Sequence, residues 1–174
     1  MYRSKDFMLM DVVDLSGKKL GIINDLIIDF DSKRILGFSI SSNNWFKNNI
    51  SVMLEDVVSF NSVMIVVKAR KDKFLNFKDI RGIDVRDRAG NIVGIVEDIM
   101  FDKEKFNMTA LIVSTGIITN FIYGKKVILV KDIILGDENI FLNKRSENIE
   151  LLSLPHRLFK EDDLDECKMQ SQEI

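Results

Sequence analysis

The chain has one cysteine, one histidine, one proline and one tryptophan among 174 residues. A lone cysteine excludes a disulfide framework, and one Cys with one His excludes a Cys/His zinc site and most histidine-based catalysis. One proline and nine glycines leave little room for Pro/Gly-rich disorder. An excess of either charge is also missing: 25 Lys+Arg stand against 27 Asp+Glu, a net charge of −2, which excludes a strongly basic binder of nucleic acid or acidic lipid. What is present is globular material, 46% hydrophobic and 30% charged, so most of the chain is expected to fold. The length suits one ordinary domain or two small ones and is too short for a large barrel enzyme.

Long apolar runs are scarce too. The segment after Met1-Tyr2-Arg3-Ser4-Lys5-Asp6 is broken by Asp11 and Asp14, so no signal peptide is expected and the mature chain is read as beginning near Met1. Phe106–Gly124 holds no charged residue and approaches bilayer-spanning length. Its Asn107, Thr109, Ser114, Thr115, Gly116, Thr119 and Asn120, with β-branched residues between them, favour buried strand and turn over a membrane span. The unpaired Cys167 fits a reducing cytoplasm.

Sliding the sequence against itself reveals a repeat. Lys5–Phe30 matches Lys78–Lys103 at a constant offset of 73, with ten of 26 positions identical; chance would give about two. The identities include Asp11/Asp84, Gly17/Gly90, Gly21/Gly94, Asp25/Asp98 and Asp29/Asp102. The match resumes at offset 76 with Asn44/Asn120, Trp45/Phe121, Val52/Ile128, Asp56/Asp132 and Val57/Ile133. The chain is read as a tandem duplication: residues 1–69, a linker at 70–77, a second copy at 78–145, and a tail at 146–174 without a counterpart.

Each copy reads as short strands. Met8–Leu15 and Leu20–Phe30 flank a turn at Gly17, and Ile83–Arg88 and Ile92–Phe101 flank one at Gly90. Further strands are expected at Ile35–Ser41, Ile50–Leu54 and Val63–Val67, and at Met108–Ser114, Val127–Val130 and Ile140–Leu142. Five or six short strands in about 70 residues leave unpaired edges unless the sheet rolls up, so a small barrel is the economical closure.

The doubled pattern resembles the PRC-barrel family, whose hallmark is a strand, a Gly turn and a second strand of the form G-x-x-hydrophobic-G-x-hydrophobic-x-D-hydrophobic-x-x-D. It occurs with Gly17, Gly21, Asp25 and Asp29 in the first copy and Gly90, Gly94, Asp98 and Asp102 in the second. The family's later signature is similar to Ile50–Val58 and Val127–Ile134, with Met53 and Leu129 standing where many members have Pro. The resemblance implies an all-β protein of two tandem small barrels, followed here by a short helical or disordered tail. It also implies a docking or assembly module, as in the H subunit of photosynthetic reaction centres and a ribosome-maturation factor. Stand-alone tandem forms resemble small bacterial proteins of unclear role.

No constellation of residues suggests catalysis. Ser16 and Lys19 satisfy S-x-x-K, but the second copy has Ala89 and Ile92 there. Asp25/Asp98 and Asp29/Asp102 could offer oxygens to a hard cation, yet a pair supplies too few ligands, and strand-end aspartates commonly accept backbone N–H groups. His156 lacks an acidic or cysteine partner at catalytic spacing, and Cys167 sits among carboxylates that disfavour a thiolate. No cofactor, metal or catalytic residue is therefore assigned.

Aromatic residues in the loop between the third and fourth strands, Trp45 and Phe46 in one copy and Phe121 and Tyr123 in the other, are the candidate protein contacts. The bland reading is that they cap the ends of their own barrels or seal the interface between the copies. The tail from Phe159 carries six carboxylates against Lys160 and Lys168, leaving a slightly basic body. The expected function is a non-enzymatic protein-binding or assembly adaptor in the cytoplasm; the alternative is RNA or ribosome association.

Overall fold

The computed structural model describes residues 1–42 and 50–143 and the backbone of 152–154. In the first copy, β1 (Tyr2–Arg3) leads through a 3-10 turn into β2 (Asp11–Asp14), β3 (Lys19–Asp29), β4 (Arg34–Ser41) and β5 (Ile50–Met53). A second 3-10 turn, Leu54–Asp56, then leads to β6 (Val57–Phe60) and β7 (Val63–Val66). The second copy repeats the order as α1 (Phe77–Ile80), β8 (Asp84–Arg86), β9 (Ile92–Phe101), β10 (Met108–Ser114), α2 (Ile117–Tyr123) and β11 (Lys125–Leu129). The turn Val130–Asp132, β12 (Ile133–Leu135), β13 (Asn139–Leu142) and β14 (Leu152–Leu154) follow.

The long central strands carry the repeat. In β3, buried and more exposed positions alternate from Leu20 to Asn24, but Asp25 to Ile28 are all buried, as expected where both faces of a strand are covered. Register shifts between Ile23 and Asp25 and between Ile27 and Ile28 bend the strand, because a bulge adds local twist. Strand β9 carries two corresponding irregularities against β10.

The ladders run β5-β4-β3-β2-β7-β6 in the first copy and β12-β13-β8-β9-β10-β11-β14 in the second. In the first copy the two strands flanking the 3-10 turn, β5 and β6, stand at opposite ends of the order, and in the second β12 stands at one end with β11 next to last at the other, so each sheet must curl to let three residues join these strands. Among the described residues neither ladder closes on itself, so the all-β class is shown while closure into two barrels is not. The outer edge of β5 is already taken, because Ser51 and Arg70 exchange both backbone hydrogen bonds at 2.8 Å. On the second copy β14 takes the equivalent edge, pairing with β11 from Lys125↔Leu154 to Val127↔Leu152. Residues 152–154 of the tail, expected as helical or disordered, are therefore strand; the remainder of the tail lies outside the described residues.

The two copies interlock reciprocally. Tyr2 and Arg3 pair with Phe101 and Met100 of β9. Seventy-three residues on, Asn76 bridges Ile27, and Ile28 N–H donates to Leu75 C=O, so each copy's leading segment lies on the other copy's central strand. The expected linker at 70–77 is thus anchored to β5 by Arg70 and to β3 by Leu75 and Asn76. At the centre of the seam, Arg34 bridges Asn107, flanked by Ile35 N–H to Phe106 C=O at 2.9 Å and Met108 N–H to Lys33 C=O at 2.8 Å. Such mutual contact between equivalent positions is the pattern of a two-fold interface, here within one chain.

Side chains close the same seam. Phe7, Phe38, Phe101 and Phe106 meet there, with ring centroids 5.1 Å apart for Phe7–Phe38 and 5.6 Å for Phe101–Phe106, and Tyr2 stands edge-on to Phe7 at 5.0 Å. Each aromatic pair contributes about 0.5–1.5 kcal/mol beyond the area it buries. One continuous apolar core, from Val12 and Met64 to Ile128 and Leu142, spans both copies.

Candidate functional site

The paired glycines and aspartates of the repeat act in the fold in four distinct ways. Gly17 and Gly90 have φ near +81° and +86° with open space around them, so backbone conformation alone calls for glycine. Gly21 and Gly94 are needed for closeness: a Cβ would lie 2.1 Å from Ser41 C=O and 2.4 Å from Ser114 C=O. Asp29 accepts Asp31 N–H, Ser32 N–H and the Ser32 hydroxyl, and Asp102 accepts Glu104, Lys105 and Asn107 N–H. These hydrogen bonds hold both carboxyls below the usual carboxylate range.

Asp25 and Asp98 are buried, 4% and 5% exposed, and each receives the other copy's leading segment. Asp98 accepts from the Arg3 guanidinium at 2.9 Å and from the Ser4 backbone and hydroxyl. Asp25 accepts Leu26 N–H at 2.8 Å and Lys78 N–H at 3.0 Å; where Arg3 serves Asp98, Asn76 occupies the equivalent position. Burial pushes the Asp25 carboxyl up, against the pull of those two N–H groups. Asp25 and Asp29 do not converge on a common site, since the bulge at Ile27/Ile28 separates them and their hydrogen bonds go to different segments. Among the described residues no group of three or more His, Cys, Asp or Glu could hold a metal ion.

The S-x-x-K pair is also divided. The Ser16 hydroxyl donates to Asp14 at 2.6 Å, and Lys19 pairs with Asp11 at 2.6 Å. His156 and Cys167 lie outside the described residues. A cleft of about 810 Å³ follows the seam, with Arg34, Val57 and Phe60 facing Glu104, Lys105 and Phe106. Its acid Glu55 is engaged by Arg70 at 2.6 Å, and its charges are mixed.

The aromatic loop of the second copy differs most from expectation. Residues 117–123 form the helix α2, not a loop. Four of its residues, Ile117, Ile118, Thr119 and Ile122, are β-branched, which disfavours a helix, and one polar side chain compensates. Asn120, buried beneath α2, accepts Thr115 N–H at 3.0 Å and donates to the Ser114 hydroxyl at 2.7 Å. Its backbone C=O accepts Gly124 N–H at 3.0 Å, where the helix ends.

With Asn120 pointing inward, the apolar side chains point outward. Ile117 is 90% exposed, Ile118 75%, Ile122 61% and Tyr123 72%, with Phe121 also exposed. At 100° per residue, Ile117, Phe121, Ile118 and Ile122 form one contiguous face. Phe121 and Tyr123 were identifiable from sequence; the isoleucines were not, although Gly116, Asn120 and Gly124 at four-residue spacing mark a helical frame. Trp45 and Phe46 lie outside the described residues.

No helix among the described residues is long and apolar enough to cross a membrane. No curated protein gives a significant match to the chain. The family model of the PRC-barrel domain matches twice, over residues 1–75 and 72–149, the second match ending shortly before β14. With the repeat in the sequence, the two similar sheets and these two matches in agreement, the chain belongs to the PRC-barrel domain family and carries the domain twice in tandem.

Proposed function

We propose that this chain is a non-enzymatic binding module that assembles with a protein partner through α2. The observation that carries this reading is the outward apolar face of Ile117, Ile118 and Ile122. Large apolar and aromatic side chains gathered on one exposed element are the usual anchors of protein contacts. The segment holding Trp45 and Phe46, the sequence counterpart of this element, is assigned to the same role in the first copy. Capture from the native cell tests the reading: a nuclease-resistant partner recovered by the wild type and lost with a folded Ile118→Asp variant supports it. Equal recovery by both chains rejects α2 as the contact.

RNA association is the second reading. Lys71, Lys73 and Lys78 line a groove of about 510 Å³ beside Phe74, an arrangement that suits a phosphate backbone. Asp72 and Asp79 line the same groove and weaken it. RNA retention that falls steeply with added salt would favour this reading over the first.

A further inference from the structure

We infer that the apolar face of α2 is a seat for the chain's own C-terminal segment, residues 155–174, so that the contact surface is covered from within the same molecule. Three observations converge on this. First, β14 runs antiparallel to β11, and its last residue, Leu154, lies opposite Lys125. Tyr123, the last residue of α2, is only two positions before Lys125, so β14 ends at the side of the sheet where α2 sits. Second, the reach is sufficient. Phe159 is five residues beyond Leu154 and can extend about 17 Å from it, whereas a seven-residue helix is about 10 Å long.

Third, the chemistry matches. The segment offers Leu158, Phe159, Leu164 and Met169 among six carboxylates, while Lys125 and Lys126 follow α2 directly, Lys125 already bonded to Glu97. Apolar side chains would cover Ile118 and Ile122, and acids would face the lysine edge. The inference uses the reading of α2 as a contact surface only to say what is being regulated. The intramolecular contact itself is measured without a partner.

Cys167 is the only cysteine and provides the probe. A nitroxide attached to Cys167 of the full chain is expected to broaden the amide resonances of residues 117–123 selectively. Uniform broadening, or none, overturns the inference. Mixing nitroxide-labelled chains with isotope-labelled chains lacking nitroxide gives a second decisive result: broadening there makes a second copy the occupant and overturns the intramolecular contact. Truncation after Leu154 should increase the fluorescence of an apolar-surface dye several-fold, with the increase abolished by Ile118→Asp. No increase overturns the inference. If the dye and nitroxide results hold while neither the full nor the truncated chain captures a partner, the protein-contact reading alone fails.

Discussion

Gly17 and Gly21 stand four residues apart and are constrained for different reasons. Alanine at position 17 meets open space but must hold φ near +81°, a strain of about 1–2 kcal/mol. Alanine at position 21 would place its Cβ 2.1 Å from the backbone oxygen of Ser41, and the ladder between β3 and β4 must shift to accept it. Overpacking of this kind costs about 1–3 kcal/mol and more where backbone resists. Chemical denaturation should therefore rank Gly21→Ala as more damaging than Gly17→Ala, and the same order should hold for Gly94 and Gly90.

Asp25 gives the residue scale a pH signature. Its folded pKa is raised by burial, so the fold binds this proton more readily than the unfolded chain does. Its contribution to stability grows as pH falls from neutral toward the carboxylate range. Asp29 and Asp102, held low by their hydrogen bonds, act in the opposite direction and lose their contribution as pH falls. Comparing wild type with Asp25→Asn by urea denaturation at pH 7 and pH 5 isolates the first effect. The stability difference, wild type minus variant, should be more positive at pH 5.

At the scale of elements, the strands were legible because apolar runs bounded by turn residues, with glycine at the same turn, repeat in both copies. Helix α2 was not, because Ile117, Ile118 and Thr119 favour strand, and its formation depends on what Asn120 reaches in three dimensions. Asn120→Ala removes the side-chain bonds to Thr115 and Ser114. The expected outcome is loss of hydrogen-exchange protection confined to the helix, with a global unfolding midpoint close to wild type. Strand β14 was hidden for a related reason: Leu152-Ser153-Leu154 is too short to announce a strand, and its pairing depends on the edge left by β11. The open ladder follows from the same edge being occupied, which no local pattern encodes.

At the scale of the molecule, the duplication was legible but the exchange of leading segments was not. A repeat reveals that two units are alike, without revealing which unit each segment packs against. The exchange predicts how a cut chain behaves. A protease site introduced at the exposed Lys71–Lys73 segment should be cleaved, with the two pieces still eluting together until denaturant is added. Either piece expressed alone should fail to show a cooperative transition, because Phe7 and Phe38 would lose Phe101 and Phe106.

The seam at Arg34 and Asn107 has a further consequence for how such a chain can change. In a homodimer every interface substitution is made twice, so a residue that suits one side must also be tolerated on the other. Joining the halves in one polypeptide removes that constraint. Lys33 and Phe106 hold equivalent positive-φ positions with unlike side chains, and the position of Arg3, which pairs with Asp98, is held by Asn76 in the second copy. Each departure is made once, leaving one half free to specialise while the other keeps the scaffold intact.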